Sequence, residues 1–326
     1  MNFSEKSILI VVPTLNEQSN IGACLRELYT QAPAATIVVV DGDSTDQTQQ
    51  IVRELMADIP NLLLIENNRR IQSSGINLAV SRCAVKDHKI LIRCDAHAMY
   101  PLDFIAKISH SFNEHDVASV AVPMDAIGQT AFARGAAWIV DTVLGNGGAK
   151  HRGGHFTGFV DHGHHAGMRL DWFCSISGYD TDFTHNEDAE YDYRINRAGG
   201  KIWMNGDARI LYYMRGSCLA LCQQYFNYGK GRARTCIKHN LRPKLRQSLP
   251  TITLFILLVC LVGALWLPWM VFLPLMYIFA LAGISLIAVI SLRNLSGIWA
   301  GPALAAMHNA WAAGFVHARL RGTNRA

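Results

Sequence analysis

Short runs of aliphatic and β-branched residues recur along the first third of the chain, and helix-like segments follow most of them. The runs are SILIVVPTL, TIVVVDGDS, NLLLIEN, KILIRCD and VASVAVPMD, between about residues 7 and 125. They are continuous rather than alternating, which is typical of parallel strands that are covered on both faces. The pattern therefore predicts an α/β fold with a mostly parallel central sheet and helical crossovers over about residues 1–130.

The pattern changes after these runs. Residues 131–185 are rich in Gly and His and predict loops with one helix, QTAFARGAAWIVDTVL. The next segment, HNEDAEYDYRINRAGG, predicts a helix that stops at Gly199, because glycine favours the left-handed conformation that ends many helices. KIWMNGDARILYYMR then predicts a returning pair of strands.

A long apolar stretch lies near the C-terminus. Residues 247–292 contain no Asp, Glu, Lys or Arg, and Pro268 and Trp269 lie near the middle. A membrane-spanning helix needs roughly 20 apolar residues, so the stretch has room for two. It predicts transmembrane helices at about 249–267 and 270–292, joined by a tight turn.

The segment at about 298–318 is also apolar, but glycine, proline, histidine and asparagine interrupt it. A third span would carry C-terminal arginines, including Arg325, across the membrane, against the positive-inside tendency. An interfacial or re-entrant helix avoids this cost, so we expect a cytoplasmic C-terminus, with a third membrane helix as the alternative. The predicted division is a cytosolic domain over 1–245 and a membrane region over 246–326.

Charge and composition agree with a membrane-attached protein. Half of the 326 residues are hydrophobic and the formal net charge is +5. The basic segments KGRARTCIKHNLRPKLR and HARLRGTNRA flank the apolar region, which predicts a cytosolic N-terminal part and contacts with anionic lipids rather than nucleic acid. Eight cysteines without a CxxC pair are typical of reduced thiols in the cytosol.

Acidic residues follow the predicted strands. No G-x-G-x-x-G follows the first strand, which argues against a dehydrogenase. Glu17, Asp41, Asp43 and Asp95 lie at strand ends instead, and His97 would share a face with Asp95 if the strand continued. A turn in which Asp95 caps the next helix explains the same residues. Because an acidic cleft repels phosphates, nucleotide binding here would require a divalent cation, Mg²⁺ or Mn²⁺.

Several motifs in order resemble those of glycosyltransferase family 2. VVPTLNEQSNI resembles the family's first strand end, VVVDGDSTDQT its second, and RCDAHAMYP its D-x-D motif; HNEDAEYDYRINRAGG and QQYFNYGKGRAR resemble its later segments. Together they cover about residues 8–235 and are most similar to the succinoglycan-type exopolysaccharide glycosyltransferases. The resemblance implies a GT-A fold, a nucleoside-diphosphate-sugar donor, a divalent cation and inversion at the anomeric carbon.

The resemblance also implies a donor site. The matching positions are Pro13, Thr14, Glu17, Asp41, Asp43, Arg70 and Asp95. Asp95 and His97 match the metal motif, although histidine replaces the family's second acid, and imidazole suits Mn²⁺ better than Mg²⁺. The alternative for Arg70 is a solvated charge.

On the acceptor side, Asp188 matches the family's catalytic base. Glu187 and Glu190 lie within about one helical turn of it, so repulsion and burial should raise at least one carboxyl pKa. The alternative is a solvated acidic helix start. The resemblance also implies that a diphosphate, the lipid carrier's phosphates or the membrane surface contacts Tyr228, Lys230 and Arg232.

The segment FVDHGHHAGM leaves two alternatives open. His162, His164 and His165 have the residue type of a zinc site, but no thiolate is nearby and the glycines favour a mobile loop near the acceptor. A missing motif indicates how many sugars are added: the chain lacks the Q-x-x-R-W motif of processive synthases. Addition of a single sugar is therefore expected.

The resulting hypothesis is a bacterial inner-membrane enzyme with a cytosolic catalytic domain. It would transfer a sugar, glucose from UDP-glucose being the first expectation, to a lipid-linked oligosaccharide in exopolysaccharide synthesis, next to other polysaccharide-assembly proteins. The alternatives are a polyprenyl-phosphate or protein glycosyltransferase of the same fold, and an inactive scaffold in an assembly complex.

Overall fold

The computed structural model describes residues 3–322, which form two compact units. The first unit runs to Asp125 and resumes over Gly154–Tyr212; the second holds Ala126–Gly153 and the described chain from Tyr213 onward. Residues 126–153 and 213–245 thus group with the C-terminal region, and the predicted division into a cytosolic domain and a membrane region at residue 245 stays a prediction. Arg325, which the prediction about the C-terminus invoked, lies outside the described residues.

The strands and helices alternate in the first part of the chain, and helices dominate the last part. The strands are β1 (Ile8–Thr14), β2 (Thr36–Asp41), β3 (Leu62–Glu66), β4 (Ile90–Arg93), β5 (Ala98–Met99), β6 (Ser119–Val122), β7 (Met124–Ile127), β8 (Gly158–Val160), β9 (His164–Arg169), β10 (Ile202–Met204) and β11 (Ile210–Tyr213). The α-helices are α1 (Ile21–Gln31), α2 (Thr48–Leu55), α3 (Gln72–Cys83), α4 (Phe104–Glu114), α5 (Ala131–Val140), α6 (Val143–Asn146), α7 (Leu170–Ser175), α8 (Glu187–Arg197), α9 (Cys218–Lys238), α10 (Leu245–Gly263), α11 (Phe272–Leu292) and α12 (Ala300–Gly322). Short 3₁₀ turns lie at Glu5–Ser7, Pro268–Val271 and Leu295–Trp299.

The first unit is built on a mixed eight-stranded sheet in the order β3-β2-β1-β4-β9-β6-β10-β8. β3, β2, β1 and β4 are parallel, and β10 is parallel to β6. β9 runs antiparallel to both β4 and β6, and β8 runs antiparallel to β10. The predicted α/β fold with a mostly parallel central sheet is confirmed.

Both faces of the parallel half are covered, which explains its continuous apolar sequence. Along β1, Ile8, Ile10 and Val12 pack into one core, and Leu9 and Val11 pack into a second core on the opposite face. Since successive side chains of a strand point to opposite faces, a strand buried on both needs apolar residues at every position.

Two predictions for this unit were incomplete or wrong. The region 131–185, expected as loops with one helix, also contains β8, β9 and α7. β9 was missed because its sequence, HHAGMR, has no aliphatic run, yet it lies in the middle of the sheet. The two strands of KIWMNGDARILYYMR exist, but β10 joins the large sheet whereas β11 pairs antiparallel with β5.

The second unit is helical and close-packed between α9 and α12. A Cβ atom on Gly229 of α9 would lie 2.0 Å from the backbone oxygen of Trp311, and one on Gly314 of α12 would lie 2.0 Å from that of Phe226. The two helix backbones therefore approach closely only because both positions lack a side chain.

Two segments of this unit, Leu245–Gly263 and Pro268–Leu292, are long and apolar enough to cross a membrane, with mean hydropathies of 1.9 and 2.5. Few of their residues are buried, and the turn between them contains Pro268 and Trp269 as predicted. The first ends a few residues earlier than expected. Of the predicted segment at 298–318, residues 300–318 belong to α12, a continuous helix that packs against α9, α10 and α11, and the first two residues end the preceding 3₁₀ turn. Whether α12 is interfacial stays a prediction.

Candidate active site at the carboxyl ends of the strands

The turn that follows β2 is organised by a buried carboxylate. Asp41 accepts hydrogen bonds at Oδ1 from the Ser44 hydroxyl (2.6 Å) and at Oδ2 from the Ser44 backbone N–H (2.9 Å) and Gln49 Nε2 (2.7 Å). Gly42, between them, donates its N–H to the Thr14 carbonyl (2.8 Å). A Cβ atom on Gly42 would lie 3.3 Å from that carbonyl oxygen. Asp41, one of the donor-site residues that the resemblance implies, is fully buried and already supports the local turn.

Two ion pairs line the same edge of the sheet. Asp43 and Arg70, which follow β2 and β3, form an exposed ion pair, and both have left-handed backbone φ angles (64° and 55°). Glu17, after β1, lies 2.8 Å from His97 Nδ1 and also accepts from Asn20 Nδ2. Burial would raise the pKa of Glu17, but these two hydrogen bonds outweigh it and lower that pKa. We call Thr14, Glu17, Asp41, Asp43, Arg70 and His97 the strand-end cluster.

β4 ends at Arg93, before the predicted metal motif. The expectation that strand alternation orients Asp95 and His97 toward one face is therefore wrong, because the chain turns at residues 96 and 97. Asp95 Oδ1 instead accepts from Gln72 Nε2 (2.8 Å) and Arg93 Nε (3.4 Å).

Arg93 is the buried centre of a second group of charges. Its Nη1 donates to Asp188 Oδ1 at 2.7 Å and to Glu187 Oε1 at 3.3 Å, while its Nε faces Asp95. The Arg93 side chain is only 6% exposed, so the nearby Asp95 and the distant pair Glu187 and Asp188 share one buried guanidinium. Buried charges of this kind are stable only when they are paired.

The two adjacent acids at the start of α8 differ in their ionisation. Burial, reinforced by the charge of Asp188, raises the pKa of Glu187 to about 7. Burial also opposes ionisation of Asp188, but Arg93 and three histidines (His165, His164 and His162) hold the pKa of Asp188 well below its usual range. The sequence-based expectation that one carboxyl pKa is raised holds for Glu187, whereas Asp188 is an anion at neutral pH.

The histidine-rich segment is ordered by a second acid of α8. Asp192 Oδ2 lies 2.7 Å from His162 Nδ1, and Asp192 Oδ1 lies 2.5 Å from His165 Nε2. Burial and the charge of Arg93 lower the pKa of His164 to about 4, so that imidazole is neutral. Within residues 3–322 no three His, Cys, Asp or Glu side chains are arranged to hold a metal ion, and the zinc alternative stays untested.

The remaining residues predicted for the acceptor side lie on α8 and α9. Glu190 is fully buried and accepts from Arg194 Nε and Nη2. Tyr228, Lys230 and Arg232 lie on α9 in the second unit and do not share one face of the helix, since Lys230 is two positions from each of the others.

Sequence reasoning did not single out Arg93, Gln72, Tyr179 or Asp192. One signal was present: Asp188 and Asp192 are four residues apart and therefore share a face of α8. Arg93 carried a weaker signal, a charged residue inside an otherwise apolar strand. We call Arg93, Asp95, His164, His165, Glu187, Asp188 and Asp192 the Arg93 cluster.

Comparison with known proteins agrees with this architecture. The model of the family described as glycosyl transferase family 2 matches residues 9–176. The succinoglycan biosynthesis protein ExoA of Rhizobium meliloti (strain 1021) is 40% identical, over 95% of this chain and 94% of its own length. The chain belongs to glycosyltransferase family 2.

Two further similarities extend this assignment. A Methanococcus voltae enzyme, dolichyl N-acetyl-alpha-D-glucosaminyl phosphate 3-beta-D-2,3-diacetamido-2,3-dideoxy-beta-D-glucuronosyltransferase, is 26% identical over 71% of this chain and 73% of its own. The solved mannosyltransferase of Pyrobaculum calidifontis, in complex with GDP-Man and Mn²⁺, has a TM-score of 0.59 at 18% identity, covering 97% of this chain and 87% of that one. This family 2 glycosyltransferase is thus an enzyme with a GT-A fold, as the motifs predicted.

Proposed function

We propose that this family 2 enzyme transfers one sugar, with inversion, from a nucleoside diphosphate to a lipid-linked saccharide during exopolysaccharide synthesis. One observation carries the proposal. Arg93 forms ion pairs with both Asp95, which belongs to the D-x-D-like motif, and Asp188, which lies at the acidic start of α8. Similarity to a succinoglycan biosynthesis protein supports the pathway class, and UDP-glucose is the first donor to test.

Asp188 is proposed as the general base. Arg93 binds its Oδ1, whereas Oδ2 faces the neutral imidazole of His164, whose Nδ1 lies 3.8 Å away. Oδ2 would take the proton of the acceptor hydroxyl while that oxygen bonds to the anomeric carbon and the bond to the leaving diphosphate breaks. Asp188 is an anion at neutral pH, which a base must be, and Glu187 is the competing candidate because its pKa is near 7.

The donor is proposed to bind along the strand-end cluster, with Pro13 and Thr14 against the nucleoside and Arg70 near the phosphates. A divalent cation fits Asp95, because Asp95 Oδ2 has no hydrogen-bond or ion-pair partner among the described residues. His97, which faces Glu17, is its second proposed ligand, with Mn²⁺ favoured by the imidazole. When bound, such a cation neutralises charge on a diphosphate.

The membrane region is proposed to hold the enzyme at the cytosolic face of a bacterial inner membrane. The two long apolar segments have the length and hydropathy of spans. Lys230 and Arg232, with the neighbouring Tyr228, would then interact with phosphates of the lipid carrier or of anionic lipids.

The experiment combines donor binding with transfer. UDP-glucose, UDP-galactose, UDP-GlcNAc and GDP-mannose are compared for thermal stabilisation of the full chain, with Mn²⁺, with Mg²⁺ and with EDTA. We expect one UDP-sugar to stabilise the protein only with a divalent cation. Equal stabilisation in EDTA would contradict the cation at Asp95.

Transfer to polyprenyl-diphosphate-linked saccharides is then measured for Asp188→Asn. The variant should retain donor stabilisation and lose about 10²–10⁴-fold in transfer rate, since asparagine keeps the size of the side chain but cannot accept the proton. Glu187→Gln tests the competing base, and Asp58→Asn, an exposed acid, is the control. Transfer by Asp188→Asn within a few-fold of wild type would remove Asp188 from the proposed role.

A further inference from the structure

A fully buried histidine lies between two acids of α8. His165, on β9, has no exposed surface on its side chain. Its Nε2 lies 2.5 Å from Asp192 Oδ1, and its Nδ1 lies 2.7 Å from the Tyr179 hydroxyl and 3.5 Å from Asp188 Oδ1. One imidazole therefore connects Asp192 with the proposed base.

Asp192 fixes the orientation of that imidazole. Its side chain is 1% exposed, and both oxygens are occupied: Oδ1 by His165, and Oδ2 by His162 and the Gly163 N–H (3.3 Å). His165 and His162 lower the pKa of Asp192 despite its burial, so the Asp192 carboxylate is ionised and can only accept hydrogen bonds. His165 Nε2 must then carry a proton, which leaves Nδ1 facing Tyr179 and Asp188.

This arrangement distinguishes the two oxygens of Asp188. Arg93 and His165 both approach Oδ1, at 2.7 and 3.5 Å, and neither occupies Oδ2. Since α8 places Asp188 and Asp192 one turn apart on the same face, the two nitrogens of one imidazole ring reach both carboxylates.

We propose that His165 and Asp192 form a positioning dyad that orients Asp188, so that Oδ2 faces the acceptor hydroxyl. The proposal rests on the proposed function, in which Asp188 is the base. Asp192 holds the ring of His165, and His165 joins Arg93 in holding Oδ1 of the carboxylate. Neither member of the dyad contacts the reacting atoms.

The dyad makes a prediction about pH. Burial disfavours the imidazolium, but Asp192 and Asp188 outweigh burial and raise the pKa of His165. The Nδ1–H of the protonated ring, which lies 3.5 Å from Asp188 Oδ1, is therefore retained to higher pH than in a free histidine, and it is lost as pH rises through the raised pKa. The groups that face His165 are Asp188, Asp192, Tyr191, Tyr179, Arg93 and His164.

The first test is His165→Gln in the full chain, with UDP-glucose, Mn²⁺ and a polyprenyl-diphosphate-linked acceptor. Glutamine keeps hydrogen-bonding capacity but cannot become a cation. We expect kcat to fall about 10- to 100-fold, a part of what a positioned base contributes, with an unchanged KM for the donor. The alkaline limb of the kcat–pH profile should shift or disappear. His110→Gln, which removes an exposed histidine paired with Glu114, is the control.

Epistasis separates this proposal from the proposed function. Adding His165→Gln or Asp192→Asn to Asp188→Asn should cause no further loss, because the dyad acts only through Asp188. A further loss of tenfold or more would overturn the dyad. A wild-type rate and pH profile for His165→Gln would also overturn it and leave Asp188 as base, whereas an active Asp188→Asn would defeat the proposed function itself.

A second measurement does not need His165→Gln to fold. In imidazole ¹⁵N spectra of the full chain, the His165 signal, assigned through its contact with the Tyr179 ring, should titrate at lower pH in Asp188→Asn than in wild type. An unchanged His165 titration in that variant would show that the two side chains are not coupled, and would overturn the proposal.

Discussion

The strand-end cluster and the Arg93 cluster lie in one compact unit but differ in the reach and the burial of their contacts. In the first, Asp41 bonds to Ser44 and Gln49, three and eight residues away, and the Asp43–Arg70 pair is 65% and 54% exposed. In the second, Arg93 bonds to Glu187 and Asp188, which are 94 and 95 residues away, with 6% of the Arg93 side chain exposed.

The difference separates two ways of building a site. In the strand-end cluster, apart from the buried Asp41, charged groups such as Asp43 and Arg70 remain in contact with water, so each of these can change with little effect on the others. In the Arg93 cluster, one guanidinium compensates several carboxylates that are away from water, so the ionisation of each depends on its neighbours. Function and folding stability are therefore coupled in the Arg93 cluster and largely separate in the strand-end cluster.

The largest effect is expected from Arg93→Met. Methionine keeps an unbranched apolar stem but leaves Asp95, Glu187 and Asp188 without their shared cation. Loss of one partner from a buried ion pair costs about 3–5 kcal/mol, and we expect the free energy of unfolding of the full chain to fall by that order. Urea unfolding in detergent, with the exposed pair variant Arg26→Met as control, measures it. A loss no greater than that of the control would show that the cluster is not coupled through Arg93.

A smaller effect concerns Glu187 and pH. Its pKa rises from about 4.5 to about 7 on folding, so between these values the native state binds more protons than the unfolded state. Stability should therefore decrease as pH rises through this window, and Glu187→Gln should flatten that decrease. Melting temperatures at pH 5 and pH 8 test this, with the exposed acid variant Glu54→Gln as control. Parallel pH dependence in wild type and Glu187→Gln would contradict the raised pKa.

The two clusters also explain what the sequence could predict. β1 to β4 and the residues at their carboxyl ends were predictable because a doubly covered parallel strand has a continuous apolar sequence, and its end places polar groups at a common edge. The helix with Asp188 was predictable from its acidic start and the stop at Gly199, whose φ is 88°. These signals are local in the chain.

The partners of Asp188 were not predictable in the same way. His164 and His165 begin β9, whose polar side chains pack against α8 rather than solvent, so their burial depends on acids 23 or more residues further along. No local pattern shows that a histidine-rich segment forms a central strand or that Arg93 faces two acids almost a hundred residues away. Such contacts follow from the order of the strands, in which β9 lies between β4 and β6.

The smallest effect on stability is expected from Arg70→Gln in the strand-end cluster. Exposed ion pairs contribute about 0–1 kcal/mol, so loss of the Asp43 contact should change the free energy of unfolding by no more than that. If Arg70 contacts the donor phosphate as proposed, the KM for UDP-glucose should nevertheless rise several-fold while kcat changes little, because a uniform binding contact is lost.

Asp43→Asn removes the same ion pair without removing the cation, and therefore serves as the matched control. Equal increases in KM for both variants would indicate that the Asp43–Arg70 pair acts as a unit rather than through Arg70 binding phosphate by itself, and an unchanged KM for Arg70→Gln would return Arg70 to a solvated charge.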